Sequence, residues 1–221
     1  MITTRTLTRW VLAELIGTAI LTMALAVMIT ETQSGLTNLN FITLFLPFGA
    51  GITLFVIVTL FGPVGGTHVN PMITLGHMLF RKMEWKQGVV YLISQVVGAY
   101  IGIALTHLLL GTGHVVPSTT MTTPGVLGEF IGTFLLSFAF MNITLKKVES
   151  SMAALVAGAT LTLGTTLALS SGAGLLNPAV ALAFGAYGWM YLAIPFLGGL
   201  GGAALAVIFD EEDDDLVPTK K

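Results

Sequence analysis

Gly65-Gly66-Thr67-His68-Val69-Asn70-Pro71-Met72 returns in altered form as Gly172-Ala173-Gly174-Leu175-Leu176-Asn177-Pro178-Ala179. Each copy begins with small residues that suit an irregular, closely approached backbone. Each then sets Asn where a helix can start and Pro at its first position. Asn caps a helix well, and Pro there gives up only an N–H that had no partner. An apolar run of about ten residues follows each time, too short to cross a hydrocarbon layer of roughly 30 Å. These stretches predict two half-helices, at 70–79 and 177–186. Irregular backbone is tolerated at membrane depth only where it is buried in protein or lines a watery cavity. The pair therefore predicts a pore.

Composition agrees. The chain of 221 residues is 54% hydrophobic and 9% charged, with a mean hydropathy of +0.90. Soluble domains carry about 25% charged residues, so this is a membrane protein. The near-neutral net charge gives no reason to expect nucleic acid. The absence of cysteine excludes disulfides, thiolate metal sites and a catalytic thiol. No Ser/His/Asp set, metal-ligand spacing or phosphate loop is visible, so no enzyme, metal or cofactor is expected.

The apolar runs predict spans at 10–30, 41–61, 86–109, 125–145, 151–170 and 189–209. The first is read as a retained helix containing Glu14, not a signal peptide. The acidic block Asp210–Asp215 opens a tail, 210–221, expected to be solvated and disordered. Arg5, Arg9, Arg81, Lys82, Lys86, Lys146, Lys147, Lys220 and Lys221 all fall on one side of a six-span layout. The positive-inside rule puts that side, with both termini, in the cytoplasm of a multi-pass cell-membrane protein. A seventh span would break the partition.

The chain also repeats itself. Glu14-x-x-Gly17-Thr18 matches Glu129-x-x-Gly132-Thr133, with 129 − 14 = 115. Asn70 matches Asn177, with 177 − 70 = 107. Gly98 and Gly102 match Gly198 and Gly202, with 198 − 98 = 100. Loops of unequal length between two copies explain the drift. The chain reads as one channel domain, with repeat one at 10–109 and repeat two at 125–209. Three spans per copy is an odd number, so the second copy is inverted. Inverted repeats place a functional site near the midplane, at their interface. The four glycines read as close helix crossings.

With these motifs in order, the chain resembles the aquaporin, or major intrinsic protein, family over residues 10–209. The resemblance implies an all-α fold of six tilted helices and two re-entrant half-helices around a pore. It also implies a homotetramer with one pore per subunit. Asn70, Pro71, Met72, Asn177, Pro178 and Ala179 become the pore motifs. Glu14 and Glu129 become residues that hold loop backbone, an expensive placement for carboxyls inside spans. His68 is assigned backbone support beside the pore in preference to titration gating.

Two departures stand out. Met72 replaces the usual Ala, and Val180 stands where the family usually places an arginine. Counting back from the motifs puts the remaining filter positions at Ala50, Gly164 and either Ala173 or Gly174. Leu175-Leu176 looks one residue longer than usual, so the last two positions can slip by one. All are small or aliphatic, which favours a wide apolar ring. The expected activity is passive passage of water and small uncharged solutes such as glycerol. The alternatives are a strictly water-selective pore, a secondary transporter with broken helices, and a non-conducting membrane adhesion protein.

Overall fold

A computed structural model of the chain describes residues 3–33, 39–65, 67–111, 122–169 and 174–215. For 31–33, 39–44 and 211–215 it describes the backbone alone. Among these residues the elements are α1 (Thr4–Gln33), α2 (Leu39–Gly65), α3 (Pro71–Leu79), α4 (Trp85–Leu110), α5 (Thr123–Leu145), α6 (Ser150–Leu169), α7 (Pro178–Ala183) and α8 (Met190–Asp215). All but α3 and α7 are long and apolar enough to cross a membrane. The fold is all-α, with six long helices and two short ones, as expected.

α1 packs along α4, α5 along α8, and α2 crosses α6. The four paired glycines lie at the first two contacts. A Cβ on Gly98 would strike the backbone of Leu15, and one on Gly102 would lie 2.5 Å from the Ala19 carbonyl oxygen. Gly198 and Gly202 meet the carbonyls of Phe130 and Phe134 in the same way. Helix backbones touch there, which in an apolar solvent gains dispersion and close packing that larger side chains would prevent. Gly51 and Gly158 do the same between α2 and α6, each facing the other's carbonyl oxygen.

Both short helices start as expected. The Asn70 side chain accepts from the Met72 N–H, the Asn177 side chain accepts from the Ala179 and Val180 N–H groups, and proline follows each. Their ends differ from expectation at α7, which stops at Ala183 and not 186. Gly185 there takes φ +77°. The N–H groups of Gly185 and Ala186 turn back to the carbonyls of Leu182 and Ala181, a Schellman closure. α3 closes identically through Arg81 and Lys82 onto Met78 and His77. There Arg81 adopts φ +57° without being glycine.

The acidic block departs from expectation too. α8 continues through Asp215, because nothing after Pro195 interrupts the helical register. Asp210 approaches Lys146 at 4.0 Å. Residues 216–221 lie outside the described residues.

The basic segments gather at one end of the bundle. Trp10, beside Arg9, packs edge-on against Tyr91 near the start of α4. His77, four residues before Arg81, bonds Thr144 near the turn that holds Lys146 and Lys147.

Candidate pore centre

The two half-helix loops are held by carboxylates fixed on α1 and α5. Glu14 accepts the His68 N–H at 2.7 Å and the Val69 N–H at 2.8 Å, one on each carboxyl oxygen. Glu129 accepts the Leu175 and Leu176 N–H groups, both at 2.8 Å. Both acids are fully buried. Consecutive N–H groups point the same way only in unusual backbone, and Val69 and Leu176 sit at φ +45° and +50°. That conformation is uncommon for branched residues, and the carboxylate bonds help to hold it.

One helical turn later comes the reason for the glycine in Glu-x-x-Gly. A Cβ on Gly17 would lie 2.7 Å from the Val69 side chain, and one on Gly132 would lie 2.6 Å from Leu176. Each motif thus binds a loop residue's N–H and makes room for its side chain. Leu176 is larger than Val69, and the extra volume is accommodated at Gly164, whose missing Cβ would lie 3.0 Å from Leu176. The corresponding place beside Val69 and Gly17 holds Ile57.

The loops meet through their asparagines. Asn70 Nδ2 donates to the Leu176 carbonyl at 2.8 Å, and Asn177 Nδ2 donates to the Val69 carbonyl at 2.7 Å. Each Oδ1 is occupied by capping its own helix. Every Asn amide carries two N–H donors. Cross-bonding uses one of them, and both residues border a shared cavity.

That cavity's wall includes Ala50, His68, Asn70, Asn177, Thr165 and Gly174, with leucines 21, 25, 54, 136, 161 and 175 filling between them. About 10 Å³ is open to the centre of a water molecule, room for roughly one. The wide apolar ring expected from small filter residues is not what this stretch presents: the leucines supply the bulk.

Of the expected filter residues, Ala50 and Gly174 lie on the wall. Ala173 lies outside the described residues. Val180 is fully buried in the hydrophobic core and is not on the cavity wall. Gly164 faces Leu176 and the Gly132 backbone instead. Thr165, the next residue of α6, lies on the wall, and its hydroxyl has no partner among the described residues. Counting without the supposed extra residue would have reached it. Met72, the other departure, points into the α3–α8 contact, where its Cβ lies 3.0 Å from the missing Cβ of Gly199.

A larger space adjoins the cavity through His68. It opens about 180 Å³ between Val58, Gly62, Phe140, Thr144, Val148 and Ser150. It lies beside the α5–α6 turn, at the basic end, and serves as that end's vestibule.

Residues 1–209 match the family described as Major intrinsic protein. Aquaporin NIP3-1 of Oryza sativa subsp. japonica is 31% identical over 225 residues, covering 95% of this chain and 70% of the relative. The glycerol uptake facilitator protein of Bacillus subtilis (strain 168) is 27% identical over 188 residues, 73% of this chain and 69% of that protein. The X-ray structure of the aquaglyceroporin from Plasmodium falciparum superposes with a TM-score of 0.74 at 18% identity, covering 95% and 98% of the two chains, a likeness of fold. This six-span, multi-pass membrane chain belongs to the major intrinsic protein family, a family of channels and not of enzymes.

Proposed function

We propose that this chain is a passive channel for water and small uncharged solutes, glycerol among them. The observation that carries this reading is the crossed asparagine pair. Each amide is locked by its cap and by the opposite loop, so its remaining N–H is held toward the cavity with no reorganisation when a solute oxygen arrives. Loop carbonyls accept from the solute, replacing part of its hydration. Two helix N-termini at the centre, each worth roughly +0.5 charge, disfavour cations.

The matched motifs support a reading as inverted repeats, 10–109 and 125–209, in one channel domain. In this reading Glu14, Glu129 and His68 support the loops, and Ala50, Thr165 and Gly174 form the filter, with Gly164 and Val180 shaping it from behind. The gathered basic segments support a cell-membrane orientation with both termini cytoplasmic. Family membership supports a homotetramer.

Glycerol enters through the names of relatives, the glycerol uptake facilitators and the aquaglyceroporin. The narrow cavity favours a second reading, a strictly water-selective pore. Stopped-flow light scattering on proteoliposomes separates the two. Glycerol flux above empty vesicles supports the first. Water flux with glycerol at the lipid background supports the second and rejects the first.

A further inference from the structure

Two imidazoles stand together beside the vestibule: His68 lines it, and the buried His77 lies behind Thr144, which also lines it. The rings of His68 and His77 lie 4.5 Å apart, centroid to centroid, tilted by 39°. Neither is spent on the loop bonds that hold the asparagines. His77 Nδ1 lies 2.8 Å from the Ile73 carbonyl oxygen. A carbonyl only accepts, so Nδ1 carries the proton. In the neutral ring Nε2 is then a lone pair, and Thr144 Oγ1 at 2.9 Å donates to it. That hydroxyl has an alternative acceptor in the Phe140 carbonyl at 3.2 Å, so it can release the nitrogen by rotating.

His68 is fixed in the same sense. Its Nδ1 lies 3.1 Å from Thr74 Oγ1. That oxygen also receives Gln95 Nε2 at 2.9 Å, and its own proton has the Asn70 carbonyl at 3.3 Å. One donated and two accepted bonds saturate a hydroxyl. This assignment makes His68 Nδ1 a donor and leaves Nε2 as a lone pair. Metal-binding histidines characteristically give their other N–H to a carbonyl or another oxygen, which fixes tautomer and ring orientation. Both rings already have that arrangement.

We propose that His68 and His77 form a site for an imidazole-seeking divalent transition metal, Cu²⁺, Ni²⁺ or Zn²⁺, and that the bound ion obstructs the vestibule. Bonds of about 2.0–2.1 Å to each nitrogen require the nitrogens to come within roughly 3–3.5 Å, a spacing compatible with ring centroids 4.5 Å apart once Thr144 releases His77 Nε2. No third His, Cys, Asp or Glu joins them among the described residues. The vestibule, about 180 Å³ and lined by His68 and Thr144, supplies water for the remaining positions. Imidazole suits these metals, with Cu²⁺ held most tightly. The chain has no cysteine, so a metal effect cannot arise from a thiol. The obstruction rests on the channel reading above; the binding does not.

The test uses purified full-length protein with Cu²⁺ as probe, read by electron paramagnetic resonance, and the same protein in vesicles read by stopped flow. The expected spectrum shows two imidazole nitrogens on one Cu²⁺. His77→Ala should weaken binding by about 10-fold or more, whereas replacing a histidine in the last turn of α4, His107→Ala, should not. Thr144→Val, which removes the competing hydroxyl, should tighten it several-fold and keeps the site testable if His77→Ala folds poorly. Water permeability of the wild type should fall several-fold with metal on the basic side and return with EDTA. A spectrum unchanged by His77→Ala, or no immobilised Cu²⁺ at all, overturns the site. Two-nitrogen binding with undiminished water flux overturns the obstruction. Vesicles with no flux before metal is added would instead count against the channel reading, while the spectrum still decides the site.

Discussion

In the first loop Glu14 binds the His68 and Val69 N–H groups, Gly17 makes room for Val69, and Asn70 reaches across to Leu176. In the second, Glu129 binds Leu175 and Leu176, Gly132 makes room for Leu176, and Asn177 reaches across to Val69. The side chains on this common frame do not match. At the positions matched by the repeat, His68 corresponds to Leu175, Thr74 to Ala181, and His77 to Phe184. Gln95, which donates to Glu14 and Thr74, has Pro195 as its counterpart. One half carries a polar hydrogen-bonded belt and the other an apolar one. Backbone N–H groups must be satisfied wherever water is excluded, so the frame is constrained twice. The side chains around it are constrained only by volume and are free to diverge.

The largest expected effect comes from breaking that frame. Glu14→Ala leaves two buried N–H groups unpaired, at about 1–3 kcal/mol each, and also removes one of the two bonds that Gln95 Nε2 donates. Glu129→Ala likewise removes its loop bonds, from Leu175, Leu176 and Gly174, so it should also lower thermal stability in detergent. Glu→Gln keeps one acceptor and should be milder at both. Equal melting temperatures for Ala and Gln variants would remove the support role from both acids.

Next come the asparagines. Asn70→Asp and Asn177→Asp each exchange a cross-loop donor for a negative charge at the positive ends of two helices. Both should raise cation leak in vesicles while water still passes. A leak unchanged in both, with the protein folded, would displace the pair from the centre.

The volume exchange between halves is smaller and sharper. A Cβ on Gly164 lies 3.0 Å from Leu176 and 3.1 Å from the Gly132 carbonyl oxygen. Gly164→Ala should therefore cost about 1–3 kcal/mol by overpacking. Adding Leu176→Val should recover part of it. Failure of the second change to recover stability would mean that the backbone contact, not Leu176, limits the space.

Thr165→Val is the gentlest change. It removes the cavity's hydroxyl while nearly preserving volume. Stability should shift little, and the ratio of glycerol to water permeability should change by about a factor of two or more as a polar contact is lost. Gly164→Ala should leave that ratio alone. The reverse pattern would return the filter position to Gly164.

These residues also mark how far the sequence could be read. Spans, half-helices and their caps were legible because length, Asn-Pro and glycine pairs are local signals. The cavity leucines were not. When lipid and core are both apolar, a helix shows no polar face to give its orientation, so Leu21, Leu54 and Leu161 look like lipid-facing leucines such as Leu60. The count reached Gly164 where the neighbouring Thr165 lines the cavity, because one residue turns a helix by about 100°, more than counting back from a distant motif can resolve. His77 reads in the sequence as an end-of-span or loop residue, whereas it is buried in α3 against Thr144, 67 residues away. The acidic block was read from charge alone, whereas the uninterrupted helix before it carries on through Asp215.

The central claim is that water crosses at the meeting of Asn70 and Asn177. The most direct measurement is osmotic water permeability of reconstituted wild-type vesicles against empty ones, by stopped-flow light scattering with and without an imposed ion gradient. The account predicts permeability well above the lipid background and indifferent to the gradient. Permeability at background, or flux that requires the gradient, would contradict it.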